Sequence, residues 1–279
     1  MKLAVSNIAW SYLQRLEAYA ILRDHGIAGL EIAPGLLFAE EADVFTPARD
    51  AVTARLAELD RFGLQLVSMQ SLLFGVEGAD LFGAPAGRQR LEQGLVRAIE
   101  LAGRLGIANV VFGSPKQRVI PPGLPQEDAL TIVGDVFRPL GDLAATHGVH
   151  IALEPNAVAY GTNFMTTFEE TLKVVRHIGH AAVSFNFDVG ALYMNDAFHL
   201  VAAFAQDAAE HISHVHISSA NLAPAPTNEK DARAVFAALK GIGYDRAVSI
   251  EMKAAPNALE TLEVSVGLLT AAADREGLR

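Results

Sequence analysis

The feature that most constrains the fold of this chain is an eightfold alternation of two sequence patterns. Short runs rich in β-branched and aromatic residues are separated by longer segments in which apolar residues recur at helical spacing. The runs typical of strands are LAVSNIA (3–9), GLEIA (29–33), LQLVSMQ (64–70), NVVFGS (109–114), HIALEPN (150–156), VSFNFDVG (183–190), ISHVHIS (212–218) and AVSIEMK (247–253). Strands that alternate with helices form a parallel sheet covered by helices.

The number and spacing of these units predict a closed barrel. Eight strand–helix units in 279 residues match the size of a (β/α)8 barrel, the TIM barrel. Many of the helical segments end in glycine, as expected at helix C-termini: Gly26, Gly63, Gly106, Gly148 and Gly179. An open doubly wound sheet is the alternative, but no glycine-rich dinucleotide motif follows the first strand. We therefore predict an α/β protein with a single (β/α)8 barrel domain over residues 1–279.

Charge and composition narrow the classes of function. The net charge of −10 disfavours nucleic acid as a partner, because phosphate binding needs a basic face. The chain has no cysteine, so any metal must be held by oxygen and imidazole ligands. No apolar run reaches the roughly 18 residues of a membrane span, and the apolar run at the N-terminus is too short for a signal peptide. We expect a cytoplasmic protein without a membrane partner.

Four consecutive strands carry an ionisable residue on the face that points into the barrel. Side chains alternate between the two faces of a strand, and apolar residues packed on the helices set the phase of each alternation. This rule directs four residues inward near the C-terminal ends of strands five to eight: Glu154, Asp188, His216 and Glu251. The active sites of (β/α)8 barrels lie at that end of the barrel.

Three carboxylates in one place favour a bound cation. At about 5 Å each pair would repel by roughly 3 kcal/mol at an effective dielectric constant near 20. Without a cation, at least one carboxylate would have to bind a proton. Each residue alone also fits a solvated strand end or a packed histidine. Together the four predict one divalent ion, Mn²⁺ or Mg²⁺ by ligand type, with Co²⁺ and Zn²⁺ as alternatives.

Four short motifs resemble those of a known family. LEPN, FDVGA, HVHIS and SIEM occur in the order and spacing of the sugar phosphate isomerase/epimerase family, which is part of the xylose isomerase-like TIM barrel superfamily. VSNIAW at the N-terminus and the segment VVFGSPKQR resemble one branch of this family. The resemblance covers the whole chain. It implies one divalent metal ion, commonly Mn²⁺, held by Glu154, Asp188, His216 and Glu251.

The resemblance also implies a reaction. In the epimerases of this family the two metal-binding glutamates act as acid and base, and these roles carry over to Glu154 and Glu251. One removes the proton α to the substrate carbonyl, the metal stabilises the enediolate, and the other returns a proton. The predicted function is a metal-dependent isomerase or epimerase acting on a sugar or sugar derivative.

Other functions remain open at this stage. A metal-dependent lyase that eliminates from a keto-sugar or an inosose would use the same proton abstraction, and a non-catalytic sugar-binding barrel is a further alternative. An endonuclease of the same superfamily would need more inward histidines and a less acidic chain.

The sequence departs from the ketose 3-epimerases at positions that orient substrate hydroxyls. Those enzymes have a histidine three residues after the metal-binding aspartate and an arginine six residues after the metal-binding histidine. This chain has Ala191 and Leu222 there, and Ser219 where related members often carry glutamate. These differences argue against 3-epimerisation of free ketohexoses and leave the predicted metal ligands intact.

Further residues are candidates for contact with a small carbohydrate substrate. The predicted substrate-binding residues are Trp10, Lys116, Arg118, Asn156 and Lys253. Lys116 and Arg118 follow the fourth strand, where they would bind a phosphate or carboxylate of the substrate or pair with acidic residues of a neighbouring loop. Lys253 shares the inward face of the eighth strand, and Trp10 either stacks on a sugar or packs at the rim.

Two more residues and two long loops complete the predictions. His214 lies one layer below His216, and Glu31 points inward from the second strand, so both are expected to support the site through its ligands. The apolar loops 34–46 and 71–86 follow strands and therefore lie at the barrel mouth. They would form a lid, pack over the rim, or make the contact of a homodimer or higher homo-oligomer.

Overall fold

The eight strands of the chain form a closed barrel in which they follow one another in chain order. The computed structural model describes residues 1–278, so Arg279, the last residue of the predicted domain, lies outside the described part. The strands are β1 Lys2–Ser6, β2 Gly29–Ile32, β3 Gln65–Met69, β4 Asn109–Phe112, β5 His150–Leu153, β6 Val183–Asp188, β7 Ile212–Ser218 and β8 Ala247–Glu251. Almost all strand residues lie within the eight predicted runs, and the predicted (β/α)8 barrel is confirmed.

Ten α-helices accompany these strands within residues 1–278. They are α1 Arg15–Asp24, α2 Pro34–Leu37, α3 Arg49–Asp60, α4 Pro85–Leu105, α5 Gln126–Thr146, α6 Phe168–Ile178, α7 Val189–Met194, α8 Val201–Asp207, α9 Glu229–Gly241 and α10 Ala258–Arg275. Eight of them coincide with predicted helical segments, whereas the short helices α2 and α7 were not predicted. No helix in this range is long and apolar enough to cross a membrane.

The chain divides into two compact units. The first unit contains residues 1–68, 187–210 and those from 214 onward, and the second contains residues 69–186 and 211–213. Three of the four boundaries fall inside β3, β6 and β7 rather than in linkers, where domain boundaries are normally found. The single-domain organisation stays a prediction.

In the first unit, parallel pairing joins β1 to both β2 and β8, and β7 to β8. The register places Val5 beside Leu30 and Ile250, which are all fully buried. In the same register Ser218 of β7 lies beside Glu251 of β8. The ends of these two strands are therefore level, and this brings their polar residues to one edge of the sheet.

In the second unit, β5 pairs with β4 on one side and with β6 on the other. Phe185 of β6 packs edge-on against Phe168 of α6, with ring centroids 4.8 Å apart. Helix α6 begins at this point because Thr167 caps it by accepting a hydrogen bond from the Glu170 amide. Since Phe185 faces a helix, its neighbour Asn186 faces the other side of the sheet, as the alternation predicts.

Several apolar residues of the two long loops are buried. Phe38 and Phe45 of the first loop are almost completely buried. In the second loop, Phe82 packs edge-on against Phe164 with a centroid distance of 5.1 Å, whereas Phe74 is 58% exposed. Packing therefore accounts for part of the apolar content of these loops, and the lid and the oligomer contact stay predictions.

Candidate metal centre

Four ionisable side chains meet at the C-terminal ends of β5 to β8. Glu154 follows β5 directly, Asp188 and Glu251 end β6 and β8, and His216 lies near the end of β7. Each of the four is less than one-tenth exposed. One potential ligand atom from each lies within 4.8 Å of the others. We call these four residues the four-ligand cluster, and they are the residues that the sequence predicts as metal ligands.

The ring of His216 lies between carboxylates. Its Nε2 is 3.1 Å from both carboxylate oxygens of Glu31. Its Nδ1 is 3.4 Å from Oε2 of Glu251 and 3.9 Å from Oδ2 of Asp188. A neutral imidazole carries one proton, and a proton on Nε2 would be donated to Glu31. The lone pair of Nδ1 then faces the Asp188 and Glu251 carboxylates.

This donor set fits a divalent cation. A lone pair and carboxylate oxygens are all acceptors, and a cation placed among them satisfies every one of them. Three oxygen ligands and one imidazole suit Mn²⁺ or Mg²⁺. A ligating histidine whose other ring nitrogen donates to a carboxylate is also the usual arrangement at protein metal sites. His216 and Glu31 show that arrangement.

Glu31 and His214 contact the four-ligand cluster through His216. Glu31 is completely buried, and its Oε1 is 3.4 Å from Nε2 of His214. Burial acts to raise the pKa of the Glu31 carboxyl, but His216 and His214 outweigh it and hold that pKa well below its usual range. The rings of the two histidines meet edge-on at a centroid distance of 5.2 Å.

Asp188 is held by hydrogen bonds that the sequence pattern does not predict. Its Oδ1 accepts a hydrogen bond from the Ala191 amide and so caps α7, which explains why this unpredicted helix begins directly after β6. Its Oδ2 accepts a 2.6 Å bond from the Ser218 hydroxyl, whose oxygen accepts one from the Gly190 amide. A Cβ atom on Gly190 would lie 2.9 Å from Ser218 Oγ and 3.0 Å from the Ser219 carbonyl oxygen. Because Ser218 and Ser219 approach the backbone this closely, position 190 requires glycine.

Both carboxylate oxygens of Glu154 accept amide hydrogen bonds. Oε1 accepts one of 2.8 Å from Nδ2 of Asn186, and Oε2 accepts one of 2.9 Å from Nδ2 of Asn156. A Cβ atom on Gly113 would lie 2.7 Å from Oε2 of Glu154, so the carboxylate fills the space that this glycine leaves open. The alternation along β6 predicts that Asn186 points inward, but no role followed from that pattern alone.

Arg118 is a buried residue and not an exposed rim charge. It is completely buried, and its Nη2 donates to the Glu154 carbonyl oxygen at 3.0 Å and to Asn156 Oδ1 at 2.6 Å. Burial lowers the pKa of the guanidinium to about 9, although the negative charges of Glu154 and Glu170 act in the opposite direction. The neighbouring Lys116 is exposed. A role of either residue in binding a substrate anion stays a prediction.

The two remaining candidates for substrate contact differ in exposure. Trp10 is 2% exposed and meets the ring of Tyr19 edge-on at 6.2 Å, which is the packing alternative considered for it. Lys253 lies beyond the end of β8 with an exposed side chain, and its amide donates to the carbonyl of Leu222. Their contact with a substrate stays a prediction.

The family of the chain follows from a match over most of its length. Residues 19–271 match the sequence profile of the xylose isomerase-like TIM barrel family. The chain belongs to this family. No curated protein sequence matches it.

Solved structures of the same barrel include sugar epimerases. The 3-keto-D-glucoside 4-epimerase from E. coli has 19% identity and a TM-score of 0.76, with 97% of this chain and 99% of that chain covered. A D-allulose 3-epimerase from Methylomonas sp., solved with D-allulose, has 22% identity and a TM-score of 0.74, with coverage of 100% and 97%. An AP endonuclease, family 2, from Brucella melitensis has 18% identity and a TM-score of 0.70, with coverage of 94% and 97%. At these identities the likeness shows the fold alone.

Two positions at which this chain differs from the ketose 3-epimerases carry a small or an apolar residue. Ala191, where the ketose 3-epimerases have histidine, is 3% exposed and offers Asp188 only its amide. Leu222, where they have arginine, adopts a left-handed backbone conformation with φ of 56°. At these two positions the chain therefore lacks the polar side chains that the ketose 3-epimerases have.

Proposed function

We propose that the chain is a divalent-metal-dependent isomerase or epimerase that acts on a sugar or a sugar derivative. The observation that carries this proposal is the buried four-ligand cluster, in which three carboxylates and one imidazole offer atoms within 4.8 Å of one another. The sugar epimerases among the similar structures support the same class of substrate. Mn²⁺ is the metal we propose first, with Mg²⁺, Co²⁺ and Zn²⁺ as alternatives.

Each residue of the four-ligand cluster has a proposed role in the reaction. When bound, a divalent ion would supply Lewis acidity toward the carbonyl and hydroxyl oxygens of the substrate. Glu154 and Glu251 are the acid and base: the carboxylate of one accepts the proton from the carbon next to the carbonyl, and the carboxyl of the other returns a proton. Asp188 and His216 complete the ligand set, and Glu31 holds the ring of His216.

The proposed partner is a small carbohydrate. A net charge of −10 and a cluster of carboxylates oppose the approach of a polyanion such as nucleic acid. The cytoplasmic location and the homodimer or higher homo-oligomer expected from the sequence stay predictions.

Metal analysis and isotope exchange test the proposal together. Purified protein loaded with Mn²⁺ should hold about one ion per chain and should exchange a substrate C–H for deuterium in D₂O, with a panel of ketoses, inososes and keto-acids as substrates. Glu154→Gln and Glu251→Gln should each lower the exchange rate by at least about a hundredfold, because each removes an acid–base group. Glu263→Gln, on an exposed residue of α10, is the matched control and should exchange at the wild-type rate. Folded protein that binds no divalent ion would refute the proposal.

A lyase is the second candidate, favoured by Ala191 and Leu222 in place of residues that orient hydroxyls in the ketose 3-epimerases. Elimination of water from a keto-sugar or an inosose shares the abstraction of the α-proton and differs in the group that leaves. An unsaturated product in the same D₂O incubations, in place of an epimer or isomer, would identify the lyase.

A further inference from the structure

Arg118, Asn156 and Glu154 form a chain of hydrogen bonds, which we call the Arg118 relay. Nη2 of Arg118 donates to Oδ1 of Asn156 at 2.6 Å, and Nδ2 of Asn156 donates to Oε2 of Glu154 at 2.9 Å. The same Nη2 also donates to the main-chain carbonyl of Glu154 at 3.0 Å. Arg118 therefore contacts the backbone of Glu154 directly and its carboxylate through one intermediate side chain.

The chemistry of the guanidinium determines which way the Asn156 amide points. An asparagine side chain carries an acceptor oxygen and a donor nitrogen, and either could face Glu154. Arginine has only donors, so the amide oxygen must face Arg118 and the amide nitrogen must face Glu154. If the amide were reversed, an oxygen would face the Glu154 carboxylate and the two acceptors would repel. Arg118 thus selects the only orientation of Asn156 that holds Glu154.

The burial of Arg118 is costly for a residue that only fills space. Its Nε and Nη1 are buried and have no hydrogen-bond partner among residues 1–278, so the guanidinium donates only through Nη2 within this range. Burying polar groups without partners is unfavourable, and an apolar side chain of similar length would avoid this cost. An apolar residue could not supply the two hydrogen bonds of Nη2, one to the Glu154 carbonyl and one to the Asn156 side chain.

The backbone brings Arg118 to this position through a defined turn. Ser114 adopts a left-handed conformation with φ of 43°, which is unfavourable for a residue other than glycine. The segment is then anchored by two bonds: the Leu81 amide donates to the Gln117 carbonyl at 2.8 Å, and the Thr162 hydroxyl donates to the Arg118 carbonyl at 3.3 Å. These bonds fix the backbone from which the Arg118 side chain reaches Asn156 and the Glu154 carbonyl.

We propose that Arg118 is a positioning residue, which sets the orientation of the Glu154 carboxylate through Asn156. The inference rests on the proposed function, in which Glu154 is a metal ligand and an acid–base group. Its consequence is that Arg118 determines the metal affinity of the protein, although it does not touch the metal.

The test is a double-mutant cycle read by calorimetric titration of the metal-free protein with Mn²⁺. Arg118→Met and Asn156→Ala should each weaken Mn²⁺ binding by about 10- to 100-fold, the effect typical of residues that orient metal ligands. Because both act through the same bond to Glu154, the double variant should bind within about threefold of Asn156→Ala rather than show the product of the two losses. Arg118→Lys, which keeps a charge but loses the planar fork, should fall between wild type and Arg118→Met.

A matched control separates this role from a general loss of structure. Arg138 also donates through its guanidinium to main-chain carbonyls, those of Ile178 and His177, away from the four-ligand cluster. Arg138→Met should bind Mn²⁺ as the wild type does, and thermal unfolding should show that both methionine variants are folded at the temperature of the titration.

The outcomes distinguish the inference from the proposed function. Wild-type affinity in Arg118→Met, or losses that multiply in the double variant, would overturn the positioning role alone. Wild-type protein that binds no Mn²⁺ would overturn the proposed function, and the positioning role with it.

Discussion

Substitution of Gly113 by alanine tests whether the position of the Glu154 carboxylate matters for function. The added Cβ would lie 2.7 Å from Oε2 of Glu154 and 3.3 Å from Oδ1 of Asn156. Carbon–oxygen contacts in proteins are normally at least about 3.3 Å, so the carboxylate must move by about 0.6 Å. That displacement exceeds the roughly 0.2 Å within which metal–ligand distances are held.

The expected result is a loss of function with only a small loss of stability. A misplacement of about 1 Å can cost about a hundredfold in rate, so we expect Gly113→Ala to lower isotope exchange and Mn²⁺ affinity by about 10- to 100-fold. The backbone of Gly113 is outside the left-handed region, so alanine is sterically allowed there. Fewer unfolded conformations then add about 0.4–1 kcal/mol of stability, which offsets part of the strain of the new contact.

The matched control is Gly241→Ala at the end of α9. A Cβ atom there meets nothing within 4 Å, and the backbone of Gly241 is helical. This variant should keep the wild-type exchange rate and Mn²⁺ affinity and should be more stable by up to about 1 kcal/mol. If Gly113→Ala exchanges deuterium and binds Mn²⁺ as the wild type does, the carboxylate tolerates displacement, and the argument that its hydrogen bonds position it for function is wrong.

Three further predictions concern the other ligands and the metal. Ser218→Ala removes the donor to Asp188 and leaves the buried Gly190 amide without its acceptor. The free energy of unfolding in urea should fall by about 1–3 kcal/mol, and Mn²⁺ affinity should fall by at least about tenfold. Unchanged affinity would show that Ser218 is not needed to orient Asp188. Glu31→Gln replaces the carboxylate that contacts Nε2 of His216 by a neutral amide. Calorimetry should show Mn²⁺ binding weakened by about 10- to 100-fold. An unchanged dissociation constant would exclude a supporting role for Glu31. Removal of metal with a chelator should lower the free energy of unfolding by about 2.7 kcal/mol relative to protein in Mn²⁺ at 100 times its dissociation constant, and an identical Tm in both conditions would contradict binding to the folded state.

Much of the fold and the four-ligand cluster could be predicted from the sequence, because both depend on simple periodicities. In a strand such as β6, the apolar residues Val183, Phe185 and Phe187 define one face, so the direction of Asp188 follows from counting. The same rule locates Glu154, which directly follows the end of a strand where the side-chain alternation still holds. The four ligand positions therefore required only strand phase and the direction of the chain.

The surroundings of the ligands could not be predicted in this way. Arg118 follows a turn that contains a left-handed residue, where no periodicity relates sequence position to side-chain direction. Its burial against Glu154 and Asn156 could not be inferred from its charge. Helix α7 was missed because Asp188 acts both as the last residue of a strand and as a helix cap, and a reading of the strand alone does not show the second role.

The hydrogen bonds around the cluster indicate a preorganised site. Three of the ligands are held by partners of their own: the side chains of Asn156 and Asn186 hold Glu154, the Ser218 hydroxyl and the Ala191 amide hold Asp188, and Glu31 holds His216. Ordering a long side chain costs about 0.5–1.5 kcal/mol at the moment of binding when it is mobile beforehand. Because these side chains are already fixed, most of that cost falls on folding, and the ion meets ligands in place. For this reason the variants that loosen the partners should weaken metal binding while every ligand is still present.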